Sequence, residues 1–176
     1  MKLVILACLL SVLFAKKEQK NKKEILNSDL NWIMLRKNAC FEASGNHSAY
    51  VPLVTRGWLT DIKLVHVSGV LKCYLTSGGS NFGCYDDGFF NLYITDNKNK
   101  IVFPFSNQQL TYDNKAYKLP GLSAKDNEMV LPNFNHPIPY LREEQYIEIW
   151  NGEDLFDYGE NDNSGRVCVN IYGIIQ

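Results

Sequence analysis

The stretch from Gln145 to Ile175, QYIEIWNGEDLFDYGENDNSGRVCVNIYGII, decides how the chain folds. Apolar residues recur at or near alternate positions on both sides of an acidic middle: Tyr146, Ile147, Ile149 and Trp150 before it, Val167, Val169, Ile171 and Ile174 after it. A period of two puts alternate side chains on opposite faces, so each flank predicts a β-strand with one face in a core. The middle carries Glu153, Asp154, Asp157, Glu160 and Asp162 with Asn161 and Asn163, and no base appears until Arg166. Like charges this close repel, and a divalent cation relieves the repulsion through the oxygen ligands that calcium prefers. A hydrated hairpin loop, with Asp, Asn and Gly as turn formers, explains the same composition. The EF-hand spacing is absent, and composition alone does not choose between the two readings.

Working outward, further strand-like segments span Tyr50 to Val54, Trp58 to Val67, Gly69 to Tyr74, Phe89 to Thr95, Lys100 to Phe105, Tyr117 to Leu119 and Met129 to Leu131. Turn-forming groups separate them, among them Ser77-Gly78-Gly79-Ser80-Asn81, Asp86-Asp87-Gly88 and Asp96-Asn97-Lys98-Asn99. The proline-bounded segment from Asn133 to Pro139 reads as a loop, and Ile25 to Leu35 fits either a short helix or an irregular lead-in to a strand. Nothing after residue 40 sustains a helical period. Repeated short strands with turn signals predict an all-β protein, an antiparallel β-sandwich, with function at loop tips and edges.

The first 15 residues, MKLVILACLLSVLFA, combine one lysine with an apolar run that ends in a small residue. The run is too short for a membrane span, so residues 1–15 read as a signal peptide, cleaved after Ala15. Residues 16–24 are a basic tail expected to be solvated, and residues 25–176 remain as one sandwich domain. The expected location is extracellular, with no transmembrane segment. A net charge of -1 leaves no basic surplus for phosphates, which excludes nucleic acid as partner.

With Cys8 in the signal, four cysteines are left, an even number that suits an oxidising compartment. Cys73 and Cys84 flank a flexible Ser/Gly/Asn-rich loop and are expected to pair, which joins Cys40 to Cys168. The spacing lacks the close pairs of a zinc site. Asn46-His47-Ser48 is an acceptor pattern for N-linked sugar, which places Asn46 on a surface loop away from any ligand.

The segment Asp162-Asn163-Ser164-Gly165, followed by Val167-Cys168-Val169-Asn170-Ile171, resembles the calcium loop and last strand of the galactose-binding bacterial lectins of the PA-I (LecA) type. In that family an aspartate closing a strand, a backbone carbonyl and two adjacent side chains before Ser-Gly hold a calcium ion that coordinates sugar hydroxyls. The resemblance implies Asp154 as the first aspartate and Asp162 and Asn163 as the adjacent pair. It also implies a galactose-binding-domain-like or jelly-roll-like sandwich, and Gly57-Trp58 resembles the family's Gly-Trp segment, which would bring Asp61 beside the ion. This loop is about three residues longer than the family's, and an acid replaces one amide, so the match covers about a third of the chain. The Gly-Trp and Trp-x-Gly-Glu-Asp-Leu patterns are also similar to those of secreted marine invertebrate domains, which implies no activity.

The expected metal ligands are thus Asp61, Asp154, Asp157, Asp162 and Asn163, for Ca2+. Tyr158, with His66 nearby, is the candidate contact to sugar. Trp58 and Trp150 fall within strand patterns and suit a core better than a sugar platform. Asp86-Asp87-Gly88 reads as a tight turn with exposed acids. The three histidines stand in unrelated contexts, there is no HExxH or GxSxG motif, and Glu143 and Glu144 point to opposite faces of a strand, so no catalytic constellation is legible. The expectation is a secreted, non-catalytic, calcium-dependent lectin for a carbohydrate or glycoconjugate, and weak single-site affinity would favour a homo-oligomer. The rival reading is a structural module of extracellular matrix or venom whose calcium only stiffens a loop.

Overall fold

Strands β10 (Tyr146–Asn151) and β11 (Arg166–Ile175) flank the acidic loop as the period of two requires, but they enter different sheets. In β11, Val167, Val169 and Ile171 are fully buried between half-exposed neighbours; in β10, Ile147 and Ile149 do the same from the facing sheet. The computed structural model describes residues 31–53, 56–83, 88–104, 110–111, 115–132, 138–141 and 145–176. The signal peptide, the basic tail, Cys84, Asp86, Asp87, Glu143 and Glu144 lie outside the described residues.

The remaining strands are β1 (Ile33–Glu42), β2 (Ala49–Pro52), β3 (Gly57–Gly69), β4 (Leu92–Asp96), β5 (Ile101–Phe103), β6 (Leu110–Thr111), β7 (Ala116–Tyr117), β8 (Glu128–Pro132) and β9 (Ile138–Leu141). One sheet has the order β1-β11-β3-β8, with β9 also on β3, and the other the order β2-β10-β4-β5; β6 and β7 form a short ribbon. All the pairings are antiparallel. The inward residues of the two sheets, among them Phe41, Leu59, Leu64, Ile94, Ile147, Ile149, Val167 and Ile171, make one core, as an aligned sandwich requires.

Three segments depart from the sequence reading. Ile33 starts a ten-residue edge strand, which the period of two misses because the register slips between Met34 and Arg36 and again between Arg36 and Ala39. Gly69 to Tyr74 is not a continuous strand: Gly69 has φ +79, and beyond it only isolated bridges form, Leu71 to Ser80 and Lys72 to Ser164. A Cβ at Gly69 would lie 1.9 Å from the carbonyl oxygen of Arg166, so the chain can turn here only because this residue is glycine. Ile138–Leu141, whose first two residues were expected to end a loop, pairs with β3 as an edge strand, a position that tolerates proline.

Cys40 and Cys168 face each other across the β1–β11 pair and are disulfide-bonded, as expected. Cys73 is also disulfide-bonded, and its expected partner Cys84 lies outside the described residues.

Candidate functional site

The acidic loop starts as a one-turn helix, α1 (Gly152–Leu155), because Asn151 ends β10 as a buried cap. Its side-chain oxygen accepts from the N–H groups of Glu153 and Asp154 at 3.0 and 3.4 Å, a favoured way to satisfy the free donors of a helix start. Gly152 is fixed by packing: a Cβ there would stand 2.0 Å from Asn91 Oδ1 and 2.6 Å from the Tyr93 ring. Phe156 then packs edge-on against Tyr93, at 5.1 Å between ring centroids. Asp157 and Gly159 adopt positive φ, and Glu160–Asp162 form a single 3-10 turn.

Ser164 and Gly165 close the loop against two neighbouring segments. Ser164 exchanges backbone hydrogen bonds with Lys72 at 2.8 and 2.9 Å, and Gly165 O accepts from Ala43 N at 3.1 Å. A Cβ on Gly165, at φ +100, would lie 2.2 Å from Val70 O, which explains the Ser-Gly pair at this point.

Acids from this loop meet the turn between β1 and β2. Asp154 is almost fully buried, and its two oxygens accept the N–H groups of Asn46 at 2.6 Å and His47 at 3.1 Å. Glu160 accepts from the Gly45 N–H at 3.1 Å. Gly45 and Asn46 both have positive φ, which turns successive N–H groups toward one side as an anion-binding concavity. Asn46 is thus exposed, as expected, but it is not away from the site; its peptide group is a partner of the loop.

Electrostatics report the crowding. Burial raises the pKa of Glu160, the Gly45 N–H pulls it down, and hydrogen-bonding contact with the Asp157 and Asp154 carboxyls pushes it up again. Among the described residues no lysine, arginine or histidine forms an ion pair with Asp154, Asp157 or Glu160. Nor do three or more His, Cys, Asp and Glu groups converge there as a closed metal-binding set. A calcium ion in this loop would therefore need amide or backbone oxygens among its ligands, as calcium sites commonly have.

Asn163 offers such an oxygen. Its Nδ2 donates to Ala43 O at 3.0 Å, and since a carbonyl only accepts, this bond fixes which end of the amide is which. Its Oδ1 is buried and accepts no hydrogen bond. An unpaired buried acceptor is costly, and a hard cation is one partner that would satisfy it.

The other predicted site residues divide. Asp157 and Asp162 are exposed on the loop. Tyr158 is 51% exposed, but Lys115 Nζ sits 3.7 Å from its ring centroid, so one face already carries an ammonium group. His66 Nε2 bonds to Gly69 O at 2.8 Å, which commits that nitrogen to the turn after β3. Asp61 is not brought to the loop. It pairs with Ile174, while the loop joins β11 at the end where Val167 pairs with Gly69; seven residues of strand separate the two points, about 23 Å. Trp58 is half-exposed, not core, whereas Trp150 is half-buried with Nε1 donating to Thr95 Oγ1. Glu160, which the sequence reading left out of the candidate ligands, joins Asp154 at the β1–β2 turn through the Gly45 N–H.

A search of solved structures returns AJLec, a lectin from the sea anemone Anthopleura japonica, at 30% sequence identity and a TM-score of 0.74. The match covers 83% of this chain and 98% of that one. The chain belongs to the family of this lectin. No protein-family model and no curated protein matches it. Membership of the sea anemone family supports the lectin-like part of the sequence reading, and the specific PA-I type is not what this match reports.

Proposed function

We propose that this protein is a secreted, calcium-dependent lectin whose carbohydrate site is the loop from Glu153 to Asn163. The observation that carries the metal is the buried, unpaired Asn163 Oδ1 on a loop whose Asp154, Asp157 and Glu160 form no ion pair with a basic residue among the described residues. Asp154, Asp157 or Glu160, with backbone carbonyls, would complete the oxygen ligands, and the ion when bound would offer vacant coordination positions to sugar hydroxyls. Neutral hydroxyls compete poorly with water unless such positions are fixed in space, and Tyr158 supplies an aromatic surface next to them. Kinship with a sea anemone lectin supports carbohydrate as the ligand class, and the Cys40–Cys168 bridge suits an exported chain. Several copies acting together would give useful avidity.

Calorimetric titration with calcium, before and after chelation, followed by a glycan array on the same sample, tests the proposal. Calcium binding together with calcium-dependent glycan signal is the expected result; glycan signal that survives chelation removes the metal from the mechanism. The second reading, a structural module, draws on the N–H groups of Gly45, Asn46 and His47, which already satisfy part of the acidic charge. Calcium binding without any glycan signal would select it.

A further inference from the structure

We infer that Asn46 is an N-glycan attachment site and that its glycan shields the acidic loop. Asn46-His47-Ser48 has the acceptor pattern, the residue is exposed at the tip of the β1–β2 turn, and its side chain makes no hydrogen bond among the described residues. A bulky substituent on Nδ2 therefore breaks no contact of the fold. The backbone of the same residue is bound to the loop, with the Asn46 N–H 2.6 Å from Asp154 Oδ1 and the flanking N–H groups on Asp154 and Glu160. A sugar on Asn46 begins one side chain away from the carboxylates.

Attachment takes an oligosaccharide from a lipid diphosphate donor. The bond between sugar C1 and the phosphate oxygen breaks, a bond from C1 to Nδ2 forms, the amide gives up one proton, and the lipid diphosphate leaves. In the folded protein Ser48 Oγ donates to Glu148 Oε1 at 2.7 Å, so the hydroxyl that the acceptor pattern requires is engaged once β2 lies on β10. Attachment accordingly precedes the pairing of β2 with β10, and the finished glycan stands over the loop's rim. It admits calcium and small sugars and hinders large glycoconjugates; this last consequence alone rests on the function proposed above.

The test uses the full chain made in a eukaryotic secretory host. Mass spectrometry of the secreted protein is expected to find the glycan on the peptide containing Asn46, retained in Ser48→Thr and lost in Ser48→Ala. The wild-type glycan is then trimmed with an endoglycosidase that leaves the first sugar, because complete removal would convert Asn46 to aspartate and add a charge. In chelator, carbodiimide labelling of Asp157 and Asp162 should rise severalfold on trimming. An unmodified Asn46 peptide in the secreted protein, or labelling unchanged by trimming, overturns the inference. Raised labelling in a protein that binds neither calcium nor glycan supports the shield and counts against the lectin reading instead.

Discussion

Strands β3 and β11 run side by side, and each end of the pair lies near a buried aspartate: Asp61, 8% exposed, at one end and Asp154, 1% exposed, at the other. Asp61 sits within a strand, where the pleat limits its neighbours to cross-strand partners, and its carboxylate makes no hydrogen bond or ion pair among the described residues. Asp154 lies in the one-turn helix that follows β10, against the β1–β2 turn, where it gains two backbone donors and the company of Glu160. Burial of a carboxylate does not make a site. What distinguishes Asp154 is that donors from a second turn converge upon it, and among the described residues no such donors reach the Asp61 carboxylate.

The largest expected effect concerns what holds the convergent end together. Cys40 lies just ahead of the Gly45 turn and Cys168 just after the acidic loop, so their bridge pins both segments. It spans 128 residues, and the chain-entropy argument puts replacing both cysteines by serine at about 4–5 kcal/mol before strain. Urea unfolding measures it. A loss of only about 0.5 kcal/mol, typical of a surface substitution, would mean that the turn and loop hold each other without the clamp.

Next comes the direct contrast of the two aspartates. Asp154→Ala takes a charged acceptor from two N–H groups, at about 2 kcal/mol in metal-free stability, and should weaken calcium binding about 100-fold, equivalent to about 2.7 kcal/mol. Asp61→Ala should leave calcium affinity unchanged. Calorimetry on both variants checks this, and equal weakening would abolish the distinction between the two ends.

That contrast also marks how far the sequence was legible. The sandwich could be read because alternation in segments such as Tyr146 to Trp150 reflects burial on one face, a local property. The acidic loop was legible as a concentration of like charge. Its partners were not, because Gly45, Asn46 and His47 act through backbone N–H groups, which no side-chain pattern records. Asp61 was misplaced for the converse reason: the Gly57-Trp58 motif fixes a strand start, while distance from the loop depends on the register of β3 against β11. Strand β1 escaped because its register slips break the alternation.

A smaller effect refines the convergent end. Asn163→Ala gives up the hydrogen bond to Ala43, about 1 kcal/mol, and with Oδ1 removed calcium should bind about tenfold more weakly, about 1.4 kcal/mol. Thermal melts with and without calcium separate these two losses. A variant whose calcium-dependent rise in melting temperature equals that of the wild type would take Asn163 out of the ligand set.

The smallest effect is a pH dependence that only the convergent end should have. Glu160 in the folded protein has its pKa raised by burial and by the Asp157 and Asp154 carboxyls, with the Gly45 N–H opposing. A raised carboxyl pKa means that the folded state holds the proton more tightly than the unfolded chain. This group's contribution to stability therefore grows as pH falls through the window between its unfolded and folded values, and shrinks as pH rises through it. Glu160→Gln mimics the protonated form and still offers an oxygen to Gly45. In chelator the variant should melt above the wild type at neutral pH, and the two should approach each other as the wild-type carboxyl takes up its proton. Calcium favours the ionised carboxyl, so in its presence the order should reverse. A difference that is flat with pH in chelator would mean that Glu160 does not feel its neighbours; one that ignores calcium would mean that the ion, if bound, lies beyond its reach.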